Sequence, residues 1–424
     1  MSFFLTILFT VIVYVRPQEF WPALQGWPIL DYVAGIAVFF ALLEKKITKD
    51  KFQRSMANKL VLIFWIWLCF CWIGNGWFGG IWYTIQKFGK VVVLYFLIVM
   101  TIDTLPKLRT YIWSLLLLSA FLALDAIVLF YTGQSITGQV AFTRLEGDEF
   151  IAQARGIGIF ADPNDLALYI VPMVAFLLPA FHRVALSPSS ITGILLMIPL
   201  ITGLVFTRSR GGILAMAIVI WMYLRHRVGV VFSVVGLVLL LGLLMAIPRF
   251  ESVSATEGTG RTRLDHWAFG LGLLKQNPVF GVGFTAFTDQ GYRQTAHNSF
   301  ILILAEAGVI GGLLWISLFY SMYRDIALLR TPERAPPWLP PLTNALEAGL
   351  VGWLAGGFFL SQTYGFLGFI LMGLVVATMN IVADEGIELR ETWTKVQVRN
   401  VTLFTIGGII FMHLLVMILW RLGG

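Results

Sequence analysis

Long apolar runs recur along this chain from end to end, and nothing constrains its fold more. Segments near 3–15, 28–43, 60–76, 87–102, 111–131, 164–181, 190–206, 211–224, 228–247, 298–322, 346–362, 366–383 and 401–420 are almost free of charge. Most have the length a helix needs to cross the hydrocarbon core of a bilayer. Across all 424 residues the chain is 58% hydrophobic and only 12% charged. A soluble domain of that size has no interior large enough to hide so much apolar surface, so lipid must serve as part of its solvent. The expected fold is therefore all-α: a polytopic integral membrane bundle of about twelve transmembrane helices. It is read as a single transmembrane domain over residues 1–424, with a large loop inserted at 248–298.

The charge of +7 follows the same logic. Basic residues gather in short loops between the apolar runs: 44–59, 105–109, 182–183, 225–227, 323–334 and 389–399. Those loops are expected on the cytoplasmic side by the positive-inside rule, which accounts for the charge without nucleic acid. Alternation then puts 131–165, 207–212, 248–298 and 361–365 on the far side. Thirteen crossings would leave Arg421 outside, and an even count needs one weak segment not to cross. The first run, MSFFLTILFTVIVYV, lacks the basic start and small-residue site of a cleavable leader and reads as a span. Cys69 and Cys71, two apart in one run, point to different helix faces and are not expected to pair.

Arginines on the far side break the rule. Arg208 and Arg210 stand in a tight turn between two apolar runs, and Arg155, Arg261, Arg263 and Arg293 lie in outer segments. One such arginine means little, because it can solvate a loop end or meet a lipid headgroup. The set points to anion binding, since guanidinium matches phosphate oxygens with two parallel hydrogen bonds. Helix starts point the same way. Asp162 is a candidate N-cap, with Pro163 at the first helical position and Asp165 at capping-box spacing. Ser209 heads "SRGGILA", and Asn298 or Ser299 heads "NSFIL". Each such end presents unpaired N–H groups and partial positive charge.

Within 248–298, Leu264, Trp267, Leu271 and Leu274 form one apolar helical stripe. Thr262 and Asp265 have capping-box spacing, and Asn277-Pro278 ends the helix before a glycine-rich "FGVGF" turn. An amphipathic helix along the interface, or capping a cavity, is expected here. His297 directly precedes a long apolar run: by position alone it is a helix-start residue bonded to the loop. His266 reads as part of the loop helix, and His182, His226 and His413 as uninvolved. Glu146, Asp148 and Glu149 read as a solvated loop rather than a metal site. Glu306, an acid inside a span, is expected to hydrogen-bond within the bundle.

Five motifs in order, "GIFADPNDLA", "TRSRGG", "GRTRLDHW", "NPVFGVGF" and "AHNSFILILAEAGVIGGLLW", resemble the signatures of the O-antigen ligase and polymerase superfamily, bacterial polytopic membrane glycosyltransferases. The resemblance runs over roughly residues 150–320. It implies a GT-C-like bundle with a periplasmic helical loop region, in the bacterial inner membrane, with its active site facing the periplasm. It implies an undecaprenyl-diphosphate-linked glycan as donor and no metal or other cofactor. Ligases pass the glycan to lipid A-core, polymerases to another repeat unit, and some relatives glycosylate proteins; the ligase is favoured. Carried over by position, the catalytic histidine falls on His297, and the substrate-binding arginines on Arg210, on Arg208 beside it, and on Arg261 or Arg263. "ARGIGIF" makes Arg155 a further candidate. A transporter of an anionic lipid is the non-enzyme alternative, but it calls for polar groups near the midplane. Oligomeric state is not legible.

Overall fold

The computed structural model describes residues 1–422 except 47, 139, 141, 147–148, 154–155, 161, 180–187, 230, 237, 239–258, 293, 333–334, 388 and 390–392. The helices in chain order are α1 (Ser2–Val15), α2 (Ile29–Leu43), α3 (Lys49–Arg54), α4 (Met56–Gly74), α5 (Gly79–Thr101) and α6 (Leu105–Thr132). Then follow α7 (Pro163–Leu177), α8 (Pro188–Thr207), α9 (Arg210–Val228) and α10 (Thr259–Gln276). The last are α11 (Ser299–Leu329), α12 (Leu339–Gly357), α13 (Phe366–Asp384) and α14 (Lys395–Leu422). The apolar run 228–247 falls largely outside the described residues.

Seven of the described helices are long and apolar enough to cross a membrane: α4, α5, α6, α8 from Ser190, α11, α13 and α14. That is fewer than the twelve or so expected; α2 and α7 are apolar but shorter. The others differ for a physical reason. Helices α9 and α12 pack on each other and on α7, so protein rather than lipid surrounds much of them. A helix so placed can carry polar groups such as Glu347, whose carboxylate accepts from Arg225 Nη2 at 2.6 Å and Arg330 Nη2 at 2.8 Å.

One element departs from the all-α expectation. Strands β1 (Phe142–Glu146) and β2 (Glu149–Gln153) pair antiparallel, from Phe142 opposite Gln153 to Glu146 opposite Glu149. Only Gly147 and Asp148 separate the strands in sequence, a length that suits a tight hairpin. A search tuned to long apolar runs passes over two strands of five residues each. The hairpin carries Glu146 and Glu149, whose side chains lie outside the described residues, as does Asp148.

The helix ends sort onto two faces. On one, Ser2 Oγ donates to Glu44 at 2.6 Å, Lys46 and Lys107 both reach Asp103 at 2.6 Å, and Ser55 Oγ donates to Asp325 at 2.6 Å. Arg54 meets Asp384 at 2.9 Å on the same face, and the Glu347 cluster lies there too. These contacts gather the basic segments 44–59, 105–109, 225–227 and 323–334 together. The opposite face holds the ends of α1, α6, α8 and α12 and the starts of α7, α9, α11 and α13. The guanidinium of Arg261 sits 5.7 Å above the ring of Trp420, so α14 also ends on this second face, on the side that thirteen crossings require for Arg421.

Between the faces, every residue of α13 from Leu367 to Val382 is buried, as befits a helix apolar all round. Helix α14 is its opposite: Leu403, Phe404, Ile406, Ile410 and Phe411 are exposed, a surface suited to lipid. Cys69 and Cys71 are both free.

Candidate active site

Three helix starts meet on the second face. Asp162 caps α7, its Oδ1 accepting from Asn164 N at 2.7 Å. Ser209 caps α9, accepting from Gly212 N at 3.1 Å and donating to Asn164 Oδ1 at 2.6 Å. The caps of α7 and α9 are thereby tied to each other. Asn298 is the cap of α11, its Oδ1 accepting from Phe300 N at 2.9 Å and Ile301 N at 3.1 Å. Ser299, the alternative cap, instead fastens the turn after α12: it donates to Leu360 O at 2.6 Å and accepts from Gln362 N at 2.9 Å. Gln362 in turn donates to Asp165 at 2.6 Å, so the carboxylate expected to close a capping box holds the neighbouring turn. Close packing needs small residues here: a Cβ on Gly212 would lie 2.7 Å from that of Ala167. Three partial positive charges therefore share one corner of the fold.

His297 sits at this corner in left-handed backbone geometry, φ 49°. Its ring lies 5.8 Å from that of His266, nearly parallel to it. His266 is buried, packs edge-on against Tyr292 at 5.0 Å, and its Nδ1 meets no hydrogen-bond partner among the described residues. Burial pulls the His297 pKa below its ordinary 6.5; the charges of Arg263 and His266 add to that, and Asp162 opposes it. Burial lowers His266 likewise, against the pull of Asp265. Both imidazoles are thus held neutral near physiological pH.

The arginines divide. Arg263 is close enough to His297 to act on its charge. Arg210 is the first residue of α9, and Arg208, also left-handed at φ 53°, lies with its guanidinium 5.8 Å above the ring of Phe130. Both flank Ser209, the cap of α9. Arg261, exposed, faces Trp420 on α14 instead. Arg155, Arg293 and His182 lie outside the described residues, and the side chain of His226 does too. His413 bonds to Ile409 O within its own helix.

Helix α10 begins at Thr259, so Thr262 is an interior residue and not the expected cap. Its stripe is buried as the spacing predicts: Leu264, Trp267, Leu271 and Leu274 all pack inward. What holds α10 against α11 is a break that periodicity does not reveal. Helix α11, read in sequence as one unbroken span, leaves helical geometry at Gly308 (φ 68°, ψ −170°). The segment after α10 enters the break. Val282 N and Gly283 N donate to Ala305 O and Glu306 O, both at 2.9 Å, and Val309 N donates to Pro278 O at 2.8 Å. Trp67 Nε1 satisfies Ala307 O at 2.9 Å. The backbone groups freed by the break are re-satisfied by the loop, as a buried helix requires. Glu306 Oε1 accepts from Phe287 N at 3.1 Å, the bundle role expected of it. The loop then reaches Tyr292, which packs on Phe269 and His266. "NPVFGVGF" is thus the clamp that sets α10, with His266 and Arg263, beside His297. The sequence signal was present in Gly281, Gly283 and Gly308, all at positive φ.

No curated protein matches the chain. Residues 195–316 match the family model described as O-Antigen ligase. That stretch contains the "TRSRGG" turn, α10, the loop clamp and the start of α11, and the match places this segment in the O-antigen ligase and polymerase superfamily.

Proposed function

We propose that this protein transfers a glycan from undecaprenyl diphosphate to a sugar hydroxyl of lipid A-core, at the periplasmic face of the bacterial inner membrane. The observation that carries the proposal is the corner where three helix N-termini, Arg263 and a neutral His297 come together, in a chain whose 195–316 segment matches the ligase family. The face bearing the basic loops is taken as cytoplasmic, which turns the corner to the periplasm.

The acceptor hydroxyl attacks the anomeric carbon as the bond to the diphosphate oxygen breaks, and a single displacement inverts the configuration there. His297 accepts the hydroxyl proton; its lowered pKa keeps it unprotonated at neutral pH. The departing diphosphate gains negative charge, which Arg263, Arg208, Arg210 and the N-termini of α7, α9 and α11 are placed to stabilise. Arg261, on the rim by Trp420, meets the lipid-linked donor as it enters. On this reading the reaction needs no divalent metal, and chelator leaves the rate unchanged.

Because burial and the charge of Arg263 hold the His297 pKa down, transfer falls only as pH drops below the ordinary histidine value of 6.5. Removing the guanidinium in Arg263→Gln weakens that depression. The acid limb of the pH–rate profile is then expected to move to higher pH; an unmoved limb means Arg263 does not act on the base. Arg210→Lys keeps charge but loses the forked donor geometry, and a drop of roughly 10–100-fold in kcat/KM is expected.

The site acts on the donor, so the acceptor identifies the reaction. Purified protein is offered an undecaprenyl-diphosphate glycan together with lipid A-core and with free lipid-linked repeat unit. Capped lipid A-core is the expected product. Elongated repeat units would make the enzyme a polymerase, and no transfer to either acceptor overturns the proposal.

A further inference from the structure

His266 is a buried imidazole with a nitrogen that nothing satisfies. Only 4% of the residue is exposed, and its Nδ1 is sealed from solvent with no hydrogen-bond partner among the described residues. His297, 5.8 Å away ring to ring, does not take that nitrogen up either. His266→Phe would fill the same space against His297 and Tyr292 and strand no polar atom. Buried polar groups are paired with few exceptions, and an exception calls for a functional reason.

The sealed Nδ1 decides what the other nitrogen can do. A neutral imidazole carries its proton on one nitrogen and a lone pair on the other. Placing the proton on Nδ1 buries an N–H without an acceptor, and an orphaned N–H is rarer in proteins than an orphaned acceptor. Protonating both nitrogens puts that orphan on a cation away from water, which costs still more. Burial accordingly lowers the His266 pKa against the pull of Asp265. The ring is therefore neutral with its proton on Nε2, a fixed donor and no base. Helix α10 puts this donor at the corner. Arg263 and His266 are three apart and share one helix face; the first acts on the charge of His297, and the second stands ring to ring with it. Tyr292, edge-on at 5.0 Å and itself packed on Phe269 at 4.3 Å, backs the ring.

We propose that His266 donates its Nε2–H to an oxygen of the diphosphate held at the corner, one helical turn from Arg263; the assignment rests on the donor class proposed above. The two imidazoles thereby divide the work. His297 takes the proton of the acceptor hydroxyl. His266 gives up no proton: its hydrogen bond strengthens as charge collects on the leaving diphosphate. A diphosphate oxygen suits a pure donor, because it offers only lone pairs. A sugar hydroxyl has a proton to place as well, and the sealed Nδ1 cannot accept it.

Glutamine and asparagine separate the two nitrogens, because the glutamine amide reaches the place of Nε2 and the asparagine amide the place of Nδ1. The full chain in lipid nanodiscs is assayed with undecaprenyl-diphosphate glycan and the two acceptors named above. His266→Gln keeps the donor and is expected to stay close to wild type. His266→Asn and His266→Phe lose it and are expected to fall roughly 10–100-fold in kcat/KM, the worth of one hydrogen bond to a charged group. In parallel, the protein is made with histidine labelled with heavy nitrogen, and the His266 signal is assigned by its loss in His266→Gln. Its nitrogen resonances are expected to report the neutral Nε2–H form across neutral pH, and inorganic pyrophosphate is expected to shift the Nε2 signal.

An Nδ1–H ring, or a doubly protonated one at neutral pH, overturns the donor assignment. His266→Gln as slow as His266→Phe also overturns it, because the ring and not its nitrogen is then the active part. His266→Phe at the wild-type rate overturns it too, as does transfer by a wild type whose His266 signal ignores pyrophosphate. A shifted His266 signal in a wild type that transfers to neither acceptor overturns the proposed reaction and leaves the anion contact standing. Neither shift nor transfer overturns both.

Discussion

Replacing His297 by asparagine is expected to lower kcat by roughly 10²–10⁴-fold, the range that a positioned general base contributes, with KM for the donor little changed. Asparagine is the informative choice because His297 occupies left-handed backbone, φ 49°. Asparagine tolerates that region better than other residues with a Cβ. The cap made by Asn298 to Phe300 N and Ile301 N then stays in place, and the substitution removes the imidazole without unseating α11. Alanine should lose as much activity and also carry backbone strain at the helix start. The comparison separates chemistry from folding: size-exclusion profile and thermal midpoint should stay near wild type for His297→Asn. A well-folded His297→Asn enzyme with activity within a few fold of wild type would falsify the general-base role.

The largest stability effect is expected at Gly308→Ala. The residue stands at φ 68°, and an added Cβ would lie 2.1 Å from Val279 O and 2.4 Å from Val279 C. These are backbone atoms of the clamp, so no side-chain rotation relieves the clash. With ψ at −170° the residue lies in a region open almost only to glycine, which alone costs a residue with a Cβ about 1–3 kcal/mol. Displacing the clamp also frees Ala305 O, Glu306 O and Val309 N inside the bundle, each costly to leave unpaired. A total of about 3 kcal/mol or more is expected, read as a large fall in the thermal midpoint in detergent. Gly386→Ala is the control: its φ is 91°, and a Cβ there meets nothing within 4 Å. If Gly308→Ala is no worse than Gly386→Ala, the loop does not depend on the break.

Both experiments bear on parts of the molecule that differ in how far the sequence reveals them. The caps Asp162, Ser209 and Asn298 could be read directly, because a cap is a relation between a side chain and the backbone two or three residues on. The buried stripe of α10 could be read for a similar reason, as a regular period. The clamp could not. Its glycines are visible, but their partners are Val279 and Glu306, and a rule about periodicity has no term for a loop entering another helix. The reading of His266 as a residue of the loop helix was correct locally and missed its neighbour His297, since 30 residues of chain separate the two.

The sequence by itself determined the membrane class, the gathering of the basic segments 44–59, 105–109, 225–227 and 323–334 on one face, and the starts of α7, α9 and α11. Those follow from hydropathy, charge and spacing, which act between residues near in the chain. Only the tertiary structure decided that the three starts share a corner, that Arg263 and His266 stand by His297, and that Arg261 turns to α14. It also decided where α11 breaks. Such choices are made by packing between segments far apart in sequence: many pairings satisfy the same apolar pattern, and side-chain volume and backbone hydrogen bonding select one of them.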